Sequence, residues 1–210
     1  MNNFNKTGYT IVKNAIGVEV AQFIFNAFIV QRNSVDFLYN NNILNSKNDT
    51  TKDIFGTFGD EQIPNKKTFS KYGDPVNDTL MLKLLPQMMN ATGLELIPTY
   101  SYYRIYQKGD ELKNHKDRPS CEISSTIFLG GEDWPLNLNS LDGKKVEVKL
   151  DVGDMLIYRG CELEHWREPY TKNLCVQSFL HYNNVNGPFG RTNLFDKRPT
   201  LGVPALLKKE

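Results

Sequence analysis

The stretch Tyr103-Arg104-Ile105-Tyr106-Gln107-Lys108-Gly109-Asp110-Glu111-Leu112-Lys113-Asn114-His115-Lys116-Asp117 changes character along its length. It opens in a β-branched and aromatic run, 97–106, which predicts a strand. Lys108-Gly109-Asp110 then reads as a turn, and the stretch closes on His-x-Asp. Downstream the same texture recurs in short apolar runs at 122–129, 146–150, 155–158 and 174–182. Turns separate them at Gly130-Gly131-Glu132-Asp133, Leu141-Asp142-Gly143 and Val152-Gly153-Asp154. Short strands at such spacing predict a sandwich or barrel.

Upstream the pattern is helical. Val18, Val20, Ala21, Phe23, Ile24, Ala27, Phe28 and Ile29 recur at three- and four-residue steps, so 17–32 is expected to be an amphipathic helix packed on the sheet. A second helix is expected over 78–92, stopped by Gly93. Residues 9–12 suggest a first strand. Residues 40–75 are polar and broken by Gly56, Gly59, Pro64, Gly73 and Pro75, and read as a long irregular region suited to a lid. Helices first and strands after predict an α+β, mainly β fold, a jelly roll buttressed by N-terminal helices. The expected layout is one domain: helical support and loop at 1–93, the jelly-roll core with the site at 94–185, and a surface-wrapping tail at 186–210.

Composition narrows the function. A chain of 210 residues suits one domain, and a net charge of +1 gives no strong field toward nucleic acid or an anionic membrane. No basic, aromatic-laced tract is present. Cys121, Cys161 and Cys175 are odd in number and lack CxxC spacing, which argues against a disulfide framework or a thiolate zinc site. No long apolar run spans a bilayer and no apolar signal core opens the chain, so a soluble, cytoplasmic protein is expected.

The chemistry concentrates on histidine. The chain has 3 histidines; His115 stands two residues before Asp117, and His165 follows the predicted strand at 155–158. On a strand His115 and Asp117 would share a face. Two imidazoles and one carboxylate can cap one face of an octahedral metal and leave positions open, the facial triad of non-haem iron. Zinc- or manganese-assisted hydrolysis is another use of such a set.

Four motifs in order resemble the Fe(II)/2-oxoglutarate-dependent dioxygenases, and within them the prolyl 4-hydroxylase-like group. They are Tyr106-x-x-Gly109 before His115-x-Asp117, the run Ser124-Ser125-Thr126-Ile127-Phe128-Leu129, the segment Val152-Gly153-Asp154-Met155-Leu156-Ile157-Tyr158, and His165 followed by Pro169. The similarity covers about 98–182. It implies a double-stranded β-helix in which His115, Asp117 and His165 hold Fe(II). It implies 2-oxoglutarate and O2 as cosubstrates, with ascorbate as an optional further cofactor. The reaction implied hydroxylates a C–H bond while 2-oxoglutarate is decarboxylated to succinate. Asp117 supplies the carboxylate that a halogenase would lack.

One departure matters. The family places an Arg or Lys for the far carboxylate of 2-oxoglutarate on the strand after the distal histidine, where this chain has Leu174 or Cys175. Lys172, Arg167 and Arg104 are the candidate replacements. Arg104 is preferred because it shares a strand face with Tyr102 and Tyr106. Tyr106 and Thr126 are further cosubstrate candidates, and Trp166 and His181 are candidate substrate residues. A peptidyl, especially prolyl, residue or a small metabolite is the expected substrate; a nucleic-acid or membrane partner is not. The rival readings are a cupin-like metal enzyme that does not use 2-oxoglutarate and a non-catalytic jelly-roll binding module.

Overall fold

The structure is a computed structural model that describes residues 3–45 and 47–209. Its centre is a pair of long antiparallel strands, β4 (Leu96–Gln107) and β11 (Leu174–Asn184). On the other edge of β11 lie β6 (Ile123–Gly131), β9 (Met155–Arg159) and β1 (Tyr9–Val12). Next to β4 lie β3 (Phe69–Tyr72) and β2 (Thr57–Phe58), so the seven-stranded sheet runs β1-β9-β6-β11-β4-β3-β2. A facing four-stranded sheet runs β5-β10-β7-β8, built from β5 (Leu112–His115), β7 (Leu136–Asn139), β8 (Lys145–Val148) and β10 (His165–Arg167). The two sheets form the predicted jelly roll.

Strand β4 is buried on both faces, and its alternation divides the molecule. Tyr103 and Ile105 face a core shared with the helices α2 (Val18–Asn40) and α4 (Pro75–Thr92). There Phe28 stacks on Tyr103 with ring centroids 3.7 Å apart. Tyr102, Arg104 and Tyr106 face the opposite way, into a cavity between the sheets. A second apolar cluster, containing Phe128, Trp134, Leu138 and Cys175, packs between the two sheets. Two short helices, α1 (Asn3–Thr7) and α3 (Asp49–Phe55), complete the amino-terminal half.

Several expectations are corrected. The first helix runs on to Asn40, through Asn33-Ser34-Val35-Asp36, because burying Val35 and tucking Tyr39 against the core outweigh poor local propensity. Its apolar face is narrower than the pattern suggests, since Val18, Val20 and Phe23 are exposed. The second helix starts earlier, at Pro75, because Asp74 accepts from the Val76 and Asn77 amides and Pro75 suits a first helical turn. The stretch 40–75 is not simply irregular: it supplies α3, the strand β3 and the edge strand β2. The tail does not merely wrap the surface, since Asp196 and Arg198 are buried. No helix among the described residues is long and apolar enough to cross a membrane.

Candidate metal centre and cosubstrate cavity

Antiparallel pairing of β5 with β10 sets His115 directly opposite His165. Their rings lie 4.3 Å apart. Asp117 is not on the strand, which ends at His115, so alternation does not place it. Its backbone amide donates to Gly160 O at 2.9 Å, and Ser124 Oγ donates to its Oδ2 at 2.8 Å. The other oxygen, Oδ1, lies 3.7 Å from His115 Nε2 and 3.6 Å from His165 Nε2. Gly160 is required here: a Cβ would come within 2.3 Å of Asp117 Oδ2.

The histidines are oriented as ligands need to be. His115 Nδ1 is 2.8 Å from Lys113 O, and His165 Nδ1 is 3.0 Å from Leu163 O. A carbonyl only accepts, so both Nδ1 atoms carry a proton, and in the neutral ring Nε2 is the atom left with a lone pair for a metal. His165 packs edge-on against Tyr158 at 4.8 Å. Burial lowers its pKa and keeps it neutral. Two imidazole lone pairs and one carboxylate oxygen within reach of each other fit a divalent cation, iron included.

This centre opens onto a cavity of about 780 Å³. Arg104, with its side chain only 5% exposed, pairs with Asp60 there and donates to Gln62 Oε1 at 3.0 Å. Its guanidinium lies over the rings of Tyr102 and Tyr106, at 5.2 and 5.5 Å. The register puts Arg104 opposite Gln177. A base therefore lies one strand over from the place the sequence resemblance suggests, where Cys175 is buried and apolar. Thr126 also lines the cavity and donates to Gln177 Oε1 at 2.9 Å.

Other candidates fall elsewhere. Lys172 is on the surface, paired with Asp133, and does not enter this cavity. Arg167 is buried but donates to Trp134 O and lies 5.2 Å over the Trp134 ring, away from the cavity. Trp166 turns to the opposite side of β10 from His165 and bonds Glu168. His181 does line the cavity: Ser124 Oγ stands 3.0 Å from its Nδ1 and links it to Asp117, while Tyr100 lies against its ring at 4.4 Å. Asp60 and Gln62, from the stretch read as suited to a lid, also reach the cavity, as do Arg118 and Lys208, to which no sequence signal points. Long-range packing brings in the turn with Asp60 and Gln62 and the tail with Lys208, whereas Arg118 directly follows Asp117.

Burial pushes His181 down to about 4. The unfolded imidazole, near 6.5, takes up its proton first. The associated stability is therefore fully present above about pH 6.5 and is lost as pH falls toward 4. Metal-free protein is expected to lose up to about 3 kcal/mol over that window through this group. Urea unfolding of the wild type and His181→Asn at several pH values checks it; an equal slope in both refutes the assignment.

No protein-family profile matches the chain, and no curated protein matches its sequence. Solved structures do. A Pseudomonas putida prolyl-4-hydroxylase aligns with a TM-score of 0.57 at 16% identity, over 85% of this chain and 95% of that one. HygX from Streptomyces hygroscopicus, with nickel and 2-oxoglutarate bound, aligns at 0.57 and 14% identity, over 88% and 85%. The chain has the fold of the 2-oxoglutarate/Fe(II) oxygenases. SnoN, a non-heme alpha-ketoglutarate-dependent epimerase from nogalamycin biosynthesis, shares it with a TM-score of 0.60 at 10% identity, over 87% and 78%. The oxygenase fold thus serves both hydroxylation and epimerisation among these neighbours.

Proposed function

We propose that this chain is an Fe(II)- and 2-oxoglutarate-dependent oxygenase acting on a C–H bond. The observation that carries the reading is the convergence of His115 Nε2, His165 Nε2 and Asp117 Oδ1 at a cavity holding a buried arginine. In this reading those three residues hold iron. When bound, iron and 2-oxoglutarate supply the oxidation of substrate coupled to decarboxylation to succinate. The chain's own residues orient and shield. Ser124 fixes Asp117, the Lys113 and Leu163 carbonyls fix the imidazoles, and Tyr158 packs on His165. Arg104 is the anchor for the far carboxylate, with Tyr106 and Thr126 beside it; a guanidinium suits a carboxylate through two parallel bonds. Hydroxylation of a peptidyl residue or small metabolite is the leading reaction, with His181 on the wall of the cavity. We also propose that the chain is one domain, because strands from Tyr9 to Asn184 share one sheet.

A metal enzyme that does not use 2-oxoglutarate is the second reading. What favours it is that Arg104 is already paired with Asp60. Anaerobic titration of the Fe(II)-loaded protein with 2-oxoglutarate separates the two. A saturable visible absorption from a keto acid chelated to iron is expected. Iron retention with no such band would favour the second reading, and failure to bind iron would end both.

A further inference from the structure

The turn that follows β2 enters the cavity and makes two contacts that mimic ligands. Gln62 Oε1 accepts from Arg104 at 3.0 Å, and because Arg104 can only donate, the amide's nitrogen must face the other way. That Nε2 lies 3.1 Å from His115 Nε2. An N–H thus points at the lone pair that a metal would use. Asp60 places Oδ2 on Arg104 and accepts from Tyr102 at 3.1 Å. One short segment therefore presents a carboxylate to the buried arginine and a hydrogen-bond donor to the metal-facing histidine.

The segment is built as a small tongue between fixed ends. Gly59 has φ +70 and a Cβ there would lie 3.1 Å from Pro64 O, so the turn is tight and favours glycine. Ile63 is 1% exposed and anchors the far end in the core between the sheets. Between them Glu61 and Gln62 are exposed and Asp60 is half-buried. Asp60 Oδ1 caps the turn by accepting from the Gln62 and Ile63 amides at 3.0 and 2.7 Å. Arg104 Nε is buried without a hydrogen-bond partner, so the tongue leaves part of the guanidinium unmet.

We propose that the Asp60–Gln62 tongue is an internal occupant of the cosubstrate seat, and that a dicarboxylic keto acid enters by replacing Asp60 on Arg104. Asp60 then sets the affinity for the cosubstrate and the preference for a far carboxylate. A ligand without that carboxylate has nothing to exchange for Asp60. This inference rests on the 2-oxoglutarate reading above.

The test compares 2-oxoglutarate with pyruvate, a keto acid that lacks the far carboxylate. Dissociation constants are read from the visible band of the Fe(II) protein under anaerobic conditions and independently by calorimetry. Asp60→Asn keeps the Oδ1 that caps the turn and removes the charge; Asp60→Ser is a second capping replacement should the first fail to fold. In either variant 2-oxoglutarate is expected to bind ~10–100-fold tighter, on the scale of one hydrogen bond between charged groups. Pyruvate is expected to change less than about twofold. Arg104→Met should reduce 2-oxoglutarate to the affinity of pyruvate. Gln62→Ala should tighten Fe(II) itself by roughly fivefold in competition with a chelator, the scale of one neutral hydrogen bond.

Unchanged or weaker 2-oxoglutarate binding in Asp60→Asn overturns the proposal, because Asp60 would then be scaffold rather than competitor. Equal tightening of pyruvate also overturns it, since that outcome is general loosening of the turn. If the iron form of every variant gives no band with either keto acid, the cosubstrate reading has failed and the inference falls with it.

Discussion

Added Fe(II) is expected to stabilise the wild-type chain and to leave His165→Ala where it was. The wild type supplies three donor atoms from three points of the chain: the end of β5, the segment after it, and the start of β10. At a concentration 100 times its dissociation constant, a ligand that binds only the folded state adds about 2.7 kcal/mol. His165→Ala removes the most buried of the three donors and leaves His115 and Asp117, so at least ~100-fold of metal affinity should be lost; changes outside the ligand shell alone already cost ~10–100-fold. The metal-free variant is also weakened, since Leu163 O loses its donor and a buried ring is deleted; an unpaired buried acceptor costs about 1–3 kcal/mol. The decisive readout is therefore the increment on adding metal, measured as a Tm shift within each protein. An increment in His165→Ala equal to that of the wild type would sink the assignment of the centre.

Arg198→Met is expected to be the most damaging single change outside the cavity. Arg198 and Asp78 form an ion pair at 3.2 Å, with side chains 0% and 3% exposed. Asp78 also accepts from Ser101 Oγ and the Gly202 amide, each at 2.7 Å. Arg198 donates through Nη1 to Val203 O at 2.8 Å. The pair ties the carboxy-terminal segment to α4 and β4 at once. Removing the arginine leaves a carboxylate buried without its counter-charge, which costs about 3–5 kcal/mol. For a chain of this size that is roughly 6–20 °C in Tm. Adding Asp78→Asn should restore part of it, because the charge left unpaired is then gone. Thermal unfolding of the three variants measures both effects. A loss under about 1 kcal/mol for Arg198→Met would mean that the tail is only draped over the surface.

Much of the scaffold is legible in the chain because its cause is local. Continuous apolar and β-branched runs mark β4, β6, β9 and β11, which are buried on both faces, and three- and four-residue steps mark the buried turns of α2 and α4. The strands β5, β7 and β10, at three or four residues each, are too short to show a period, and partners across the sheet define them. His115, Asp117 and His165 could be singled out as a ligand set from residue type and order alone. Their mutual placement could not be read this way. The two histidines meet through the pairing register of β5 and β10, and Asp117 reaches them through Gly160 and Ser124 rather than through strand alternation.

The choice among bases shows the same divide. Lys172 is near in sequence to the place where the family resemblance puts an anchor, yet its partner is Asp133 on the surface. Arg104 is far away in sequence and enters the cavity because β4 pairs with β11 and sets it against Gln177. Neither this register nor the arrival of Asp60 at Arg104 leaves a periodic trace. By itself the sequence determined the strand and helix pattern, the absence of a strong charge bias, and the residue types able to hold a metal. Strand alternation already favoured Arg104 among the bases; tertiary structure alone decided which of those residues face one another, what Arg104 pairs with, and that a turn and a tail distant in sequence close the cavity. The reason is physical: periodic burial is written into neighbouring residues, whereas strand register and buried ion pairs are settled by contacts between segments far apart in the chain.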